Sequence, residues 1–155
     1  MSRIYNNSNK IIIPEILKRL IDVHQSIKMK SEILARWREI SQAVSGAPFS
    51  HNYNYSSGNK KYSNYQSKVE THAVKILTLE ENLKKDTDEL SKLTEKFLNI
   101  LDKIEDIKCR ELLTYRYLCG NTWEQVAEQM SYSYIHVLSR LHPKALKLVE
   151  LVTIA

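Results

Sequence analysis

The clearest periodic signal in the chain lies between residues 69 and 107. Val69, Ile76, Leu83, Leu90, Phe97 and Ile104 fall seven apart, and His72, Leu79, Asp86, Leu93, Ile100 and Ile107 accompany them at an offset of three. Apolar residues in this rhythm form one stripe along a helix, and a stripe kept for about five heptads is a coiled-coil seam. His72 and Asp86 interrupt it. A lone polar seam residue sets register or meets water, so no catalytic role is read into Asp86. Glu80, Glu81, Asp88 and Glu89 alternate with Lys84, Lys85 and Lys92 outside the seam, at spacings that pair charges along a solvated helix.

A second, weaker stripe precedes it. Ile16, Leu20, Val23, Ile27, Leu34, Trp37 and Val44 recur at helical steps after Pro14, a residue suited to a first helical turn. Lys18, Arg19, Lys28, Lys30, Arg36 and Arg38 decorate this helix, and "SGAP" ends it. Residues 1–13 read as a flexible arm. Ser50 to Gln66, rich in Asn, Ser and Tyr, has no helical period and reads as a long loop within a linker at about 45–67. A seam of this length must be covered. It packs on the first helix as an antiparallel hairpin over residues 14–106, on a second copy of the chain as a homodimer, or on both; periodicity does not choose.

The last third, residues 107–155, has a shorter rhythm. Ile107 to Leu118 forms an amphipathic helix with Leu112, Leu113 and Tyr117 inward, and Gly120 stands where a helix-ending residue is expected. Thr122 and Gln125 make a T-x-x-Q capping box, which starts a helix at Trp123 that runs to about Met130 and buries Trp123, Val126, Ala127 and Met130. Ser133 caps a further helix, with Tyr132 and Val137 placed as a hydrophobic staple. On that helix Val137, Leu138, Leu141, Ala145 and Leu148 form the apolar back, while His136, Ser139, Arg140 and Lys147 fall on the opposite face. Two such helices joined by a short turn make a helix-turn-helix, whose second helix lies in the DNA major groove. In that reading His136, Ser139 and Arg140 face base edges, and Thr122, Tyr134 and Lys144 contact phosphates. The DNA-binding set is Thr122, Ser133, Tyr134, His136, Ser139, Arg140, Lys144 and Lys147. The plain alternative is a small three-helix bundle with a solvated polar front.

Composition narrows the class. With 3 Gly and 3 Pro there are too few turn-formers for a sandwich or barrel, so the fold class is all-α: a long helical hairpin or coiled coil followed by a small three-helix domain. Net charge is +5, and residues 1–66 carry ten Lys/Arg against four Asp/Glu, a bias that fits a nucleic-acid partner. No apolar run is long enough for a membrane span, and the N-terminal stretch has no signal-peptide core, which predicts a cytoplasmic protein without a membrane partner. There is no GxxxxGK[ST], no GxGxxG and no HExxH among His24, His51, His72, His136 and His142. No enzyme, metal site or cofactor is expected. Cys109 and Cys119 have no zinc-site spacing and read as reduced thiols.

"LLTYRYLCGNTWEQVAEQMSYSYIHVLSRLHPKAL" resembles region 4 of sigma-70-type factors, and still more the small phage regulators of the ArpU/RinA type. Arg116-Tyr117, Gly120, Thr122-Trp123, Val126-Ala127, Tyr132-Ser133, Leu141-His142 and Ala145-Leu146 carry the likeness, over about the last 45 residues. It implies a phage- or prophage-encoded regulator of late genes in a bacterial host, which binds promoter DNA and has RNA polymerase as a partner. Two features depart from the family pattern. Pro143 lies inside the recognition helix and predicts a kink or break near His142. The stretch from Ser133 to His142 is one residue longer, which a bulge would absorb while rotating the DNA face. Two other readings remain open at this level: a packaging protein resembling a small terminase subunit, and a coiled-coil adaptor that binds no DNA.

Overall fold

The computed structural model describes residues 13–45 and 60–155, with Ser45 and residues 60–67 as backbone only. Residues 1–12 of the expected arm and the centre of the expected loop, 46–59, lie outside the described residues. Among the described residues six α-helices succeed one another: α1 (Glu15–Ser45), α2 (Lys60–Leu101), α3 (Ile107–Leu113), α4 (Trp123–Met130), α5 (Tyr134–His136) and α6 (His142–Ile154). A wide π-helical turn extends α3 through Thr114–Leu118, and a second joins α5 to α6 through Val137–Leu141. Among the described residues there is no strand, so the fold is all-α. No helix among them is long and apolar enough to cross a membrane.

α2 begins at Lys60, inside the stretch whose composition suggests a loop. Lys60 to Gln66 contains neither Gly nor Pro, and each Tyr, Ser or Asn costs a helix only about 0.5 kcal/mol. Adding a turn to an existing long helix is cheap enough to override such preferences.

The chain divides into two compact units: residues through His24 with Leu90 onward, and Gln25–Glu89. In the Gln25–Glu89 unit, α1 and α2 run antiparallel. Ser26 and Lys30 meet Asp86, and farther along α1, Arg38 meets Glu80 and Trp37 meets His72. The polar interruptions of the heptad seam are therefore turned toward α1. Asp86 Oδ2 accepts from Ser26 Oγ at 2.6 Å and from Lys30 Nζ at 2.7 Å. His72 lies 5.2 Å from the Trp37 ring, and the Lys75 ammonium sits 4.3 Å from the centre of that ring.

In the other unit, Leu17 and Leu20 of α1 and Phe97 and Leu101 of α2 share one core with Cys109, Leu112, Leu113, Tyr117, Val126, Ala127, Met130, Val137, Ala145, Leu146 and Val149. α2 stops at Leu101. Lys103 and Ile104 then donate to carbonyls three residues back, and Asp106 caps α3 by accepting from the Cys109 amide at 3.1 Å. The heptad count ends with this break. Ile104 is buried in the connection, but Ile107, counted as a seam residue from periodicity, is 62% exposed at the start of α3.

Candidate nucleic-acid interface

The turn before α4 is built by local rules. Gly120 takes φ +70°, which an L side chain adopts only under strain. The Arg116 guanidinium donates to the Asn121 carbonyl at 2.7 Å and lies over the Trp123 ring, so the cation fastens both flanks of Thr122. The capping box forms as its residues require: the Gln125 amide donates to Thr122 Oγ1, and the Thr122 amide to Gln125 Oε1. α4 ends at Met130 with Ser131 in the left-handed region, and Ser131 and Tyr132 donate back to the carbonyls of Glu128 and Ala127. Ser133 then caps α5 by accepting from the His136 amide at 3.2 Å. A three-residue turn, Ser131 to Ser133, thus joins two capped helices.

From Tyr134 the chain stays helical to Ile154, through the π turn. The chain does not break near His142. The His142 amide bonds to the Val137 carbonyl, five residues back, which widens the turn just ahead of the pyrrolidine ring. Pro143 then falls in the first turn of α6, where its missing N–H and fixed φ are tolerated. The extra residue in this turn rotates α6 by about 100° relative to a regular continuation of α5. His136 precedes the π turn, Ser139 and Arg140 lie within it, and Lys147 comes after it.

Thr122, Ser133, Tyr134, Ser139, Arg140, Lys144 and Lys147 are exposed, and His136 is half-buried. Their chemistry differs. The hydroxyls of Thr122 and Ser133 accept helix-capping bonds. Ser139 donates its hydroxyl to the Ile135 carbonyl, which leaves it able only to accept from a ligand. Tyr132 stacks on the His136 ring at 5.0 Å. Lys144 is ion-paired with Asp106. That contact holds the Asp106 carboxyl below its ordinary pKa and raises the Lys144 ammonium. Arg140 and Lys147 make no ion pair among the described residues.

Behind this surface lies His142, 5% exposed. Its Nε2 is 2.8 Å from the Tyr117 hydroxyl, and its ring meets Trp123 edge-on at 4.5 Å. Burial, assisted by the nearby Arg116 charge, pushes the imidazole down to about 4, and burial pushes the Tyr117 phenol up to about 12. Both are neutral core groups near pH 7. Cys109 is also buried, with its thiol pushed up to about 11 by desolvation first and Asp106 second; Cys119 is exposed. No cluster of potential metal ligands occurs among the described residues.

Two features of this surface escape periodicity. No Asp or Glu occurs between Glu128 and Glu150, although that stretch carries Arg140, Lys144 and Lys147. Ile135, the second residue of α5, is 75% exposed. The first is readable from sequence once charges are counted in a short window rather than over the whole domain.

The molecule is thus an all-α protein with two capped helices set on a core that also holds the ends of two long helices. It belongs to the family described as "Protein of unknown function (DUF1492)", whose profile matches residues 55–147. No curated protein and no solved structure matches the chain.

Proposed function

We propose that this chain is a sequence-specific DNA-binding regulator of phage or prophage late genes, which holds promoter DNA through a C-terminal helix-turn-helix spanning α4 to α6. The observation that carries the reading is the carboxylate-free run from Ser131 to Val149. It contains the whole exposed front of the second helix, with Arg140 and Lys147 making no ion pair among the described residues. A polyanion is the partner that such a surface favours. The caps on either side of the Ser131–Ser133 turn support it by fixing where the second helix begins. Likeness of residues 112–146 to sigma region 4 and to ArpU/RinA-type regulators supports promoter DNA as the target and RNA polymerase as a second partner. Arg140 and Lys147 supply charge, and Ser139, back-bonded to its own helix, accepts from an exocyclic amino group of adenine or cytosine.

The test is selection by the full chain from fragments of the genome that encodes it, with titration of the recovered duplex at several salt concentrations. A selected fragment should bind more tightly than random duplex at about 150 mM salt. Arg140→Ala should erase most of that preference, and Lys147→Ala should weaken both duplexes alike and lower the salt slope by about one. No enrichment and no salt-dependent binding would overturn the reading. A many-subunit ring on the DNA by light scattering would replace regulation with packaging.

A further inference from the structure

Ile135 holds the most exposed apolar side chain on the front of the second helix. One exposed isoleucine on a protein is unremarkable by itself. This one stands at the second residue after a capped turn, beside the half-exposed Tyr134, inside a run without a single carboxylate. Its carbonyl accepts the Ser139 hydroxyl, so the backbone beneath the side chain is tied into the first turns of the helix.

We infer that Ile135 reads the 5-methyl group of thymine in the major groove, so that the preferred site contains an A·T pair where α5 begins. The inference rests on the DNA-binding reading above and adds to it the base that is recognised. Every base pair presents donors and acceptors along its major-groove edge, but only thymine presents an apolar group there. A side chain with no donor or acceptor, pressed against the polar edge of a G·C pair, strips those groups of water and returns no hydrogen bond. Against a methyl it buries apolar surface on both partners instead. The placement agrees, because early residues of a recognition helix approach base edges most closely. The charge agrees as well: an apolar side chain that served a protein pocket has no need of a surrounding surface cleared of carboxylates, whereas one that must pass between two phosphate strands does.

The experiment uses the full chain and two pools of random duplexes, one made with thymidine and one with deoxyuridine, which differ only in the 5-methyl group. Wild-type protein should enrich a sequence from the thymidine pool. Remaking that duplex with deoxyuridine at individual positions should weaken binding by about fourfold at one of them, the effect of one methyl group. Ile135→Ala should bind the thymidine duplex about as weakly as wild type binds the deoxyuridine one, and should not distinguish the two. Its thermal midpoint should match wild type, because the side chain is exposed. Equal wild-type affinity for thymidine and deoxyuridine duplexes would overturn the methyl assignment while leaving DNA binding intact. A fourfold loss that persists in Ile135→Ala would move the methyl contact to another residue and overturn it too. Enrichment from neither pool would overturn the DNA reading and this inference together.

Discussion

At His142 a titratable ring is enclosed by Tyr117 and Trp123, and its proton equilibrium is tied to folding. Burial lowers the folded-state value to about 4, against about 6.5 for a free imidazole. Between these values the unfolded chain binds a proton that the folded chain refuses, so stability is full above about pH 6.5 and falls as the pH drops toward 4. The loss attributable to this group reaches about 3 kcal/mol at most. Urea midpoints measured from pH 7 to pH 4 should fall steeply, and His142→Gln, although less stable at neutral pH, should show a much flatter profile. An unchanged slope in that variant would assign the acid sensitivity elsewhere. Asp106 does not confuse the window, because Lys144 holds its carboxyl below the ordinary 3.8. Gly120 gives a second residue-scale expectation. A Cβ there would meet the His24 ring at an ordinary 3.7 Å, so the cost of Gly120→Ala comes from the left-handed backbone alone, about 1 kcal/mol in thermal or chemical melts. A loss of several kcal/mol would instead mean that the contact with His24 is intolerant.

At the level of elements, the caps of α4 and α5 serve two purposes that substitution can separate. Thr122→Ala and Ser133→Ala each remove a side-chain acceptor at a helix start and should cost about 1 kcal/mol in stability. Ser133→Asp keeps an equally good cap but sets a negative charge where the DNA backbone would run. It should melt like wild type and bind duplex about tenfold more weakly at low salt, with the difference narrowing as salt rises. Normal DNA affinity in Ser133→Asp would place this end of the helix away from phosphates. These caps are legible in sequence because they depend on residues three apart: T-x-x-Q before Trp123, and a serine before Tyr134. The π turns are less so. Nothing in the composition of Val137–Leu141 marks a widened turn; only the extra residue in the stretch and Pro143 point to one, and a bulge and a break are both consistent with them. The wide turn prevails because it spares Pro143 a clash while Val137, Ala145 and Val149 all remain buried on one core. Ile135 escapes a sequence reading for a related reason. At 100° per residue Ile135 falls on neither the apolar back nor the polar front, so periodicity is silent about its exposure.

Across the whole molecule, helix content is visible in the two apolar stripes, but the partners of each stripe are not, and periodicity leaves the α1–α2 hairpin and a self-paired seam equally open. Periodicity says that Leu20 and Phe97 face something and passes over Leu17 and Leu101; it does not say that these four face Leu112, Tyr117 and Val149, because contacts between residues this far apart leave no local signature. The same limit applies to Asp86, which looks like a flaw in a self-pairing seam and is instead met by Ser26 and Lys30 of the same chain. The shared core has a consequence for where a folding unit can be cut. A boundary before Ile107, natural on rhythm alone, would leave α3 to α6 without Leu17, Leu20, Phe97, Leu101 and Ile104, and a piece of that length has little surface to bury in compensation. Phe97→Ala should therefore destabilise the helices of the C-terminal third by about 3 kcal/mol or more, although it lies outside them. The fragment 107–155 alone should show partial helix by circular dichroism, no cooperative melt, and none of the full chain's preference for a selected duplex. A chain beginning at residue 13, with α1 and α2 intact, should keep both the melt and the preference. If the short fragment melts cooperatively and binds like the full chain, the long helices are not part of the DNA-binding unit's core, and their ends at Leu17, Leu20, Phe97 and Leu101 merely rest against it.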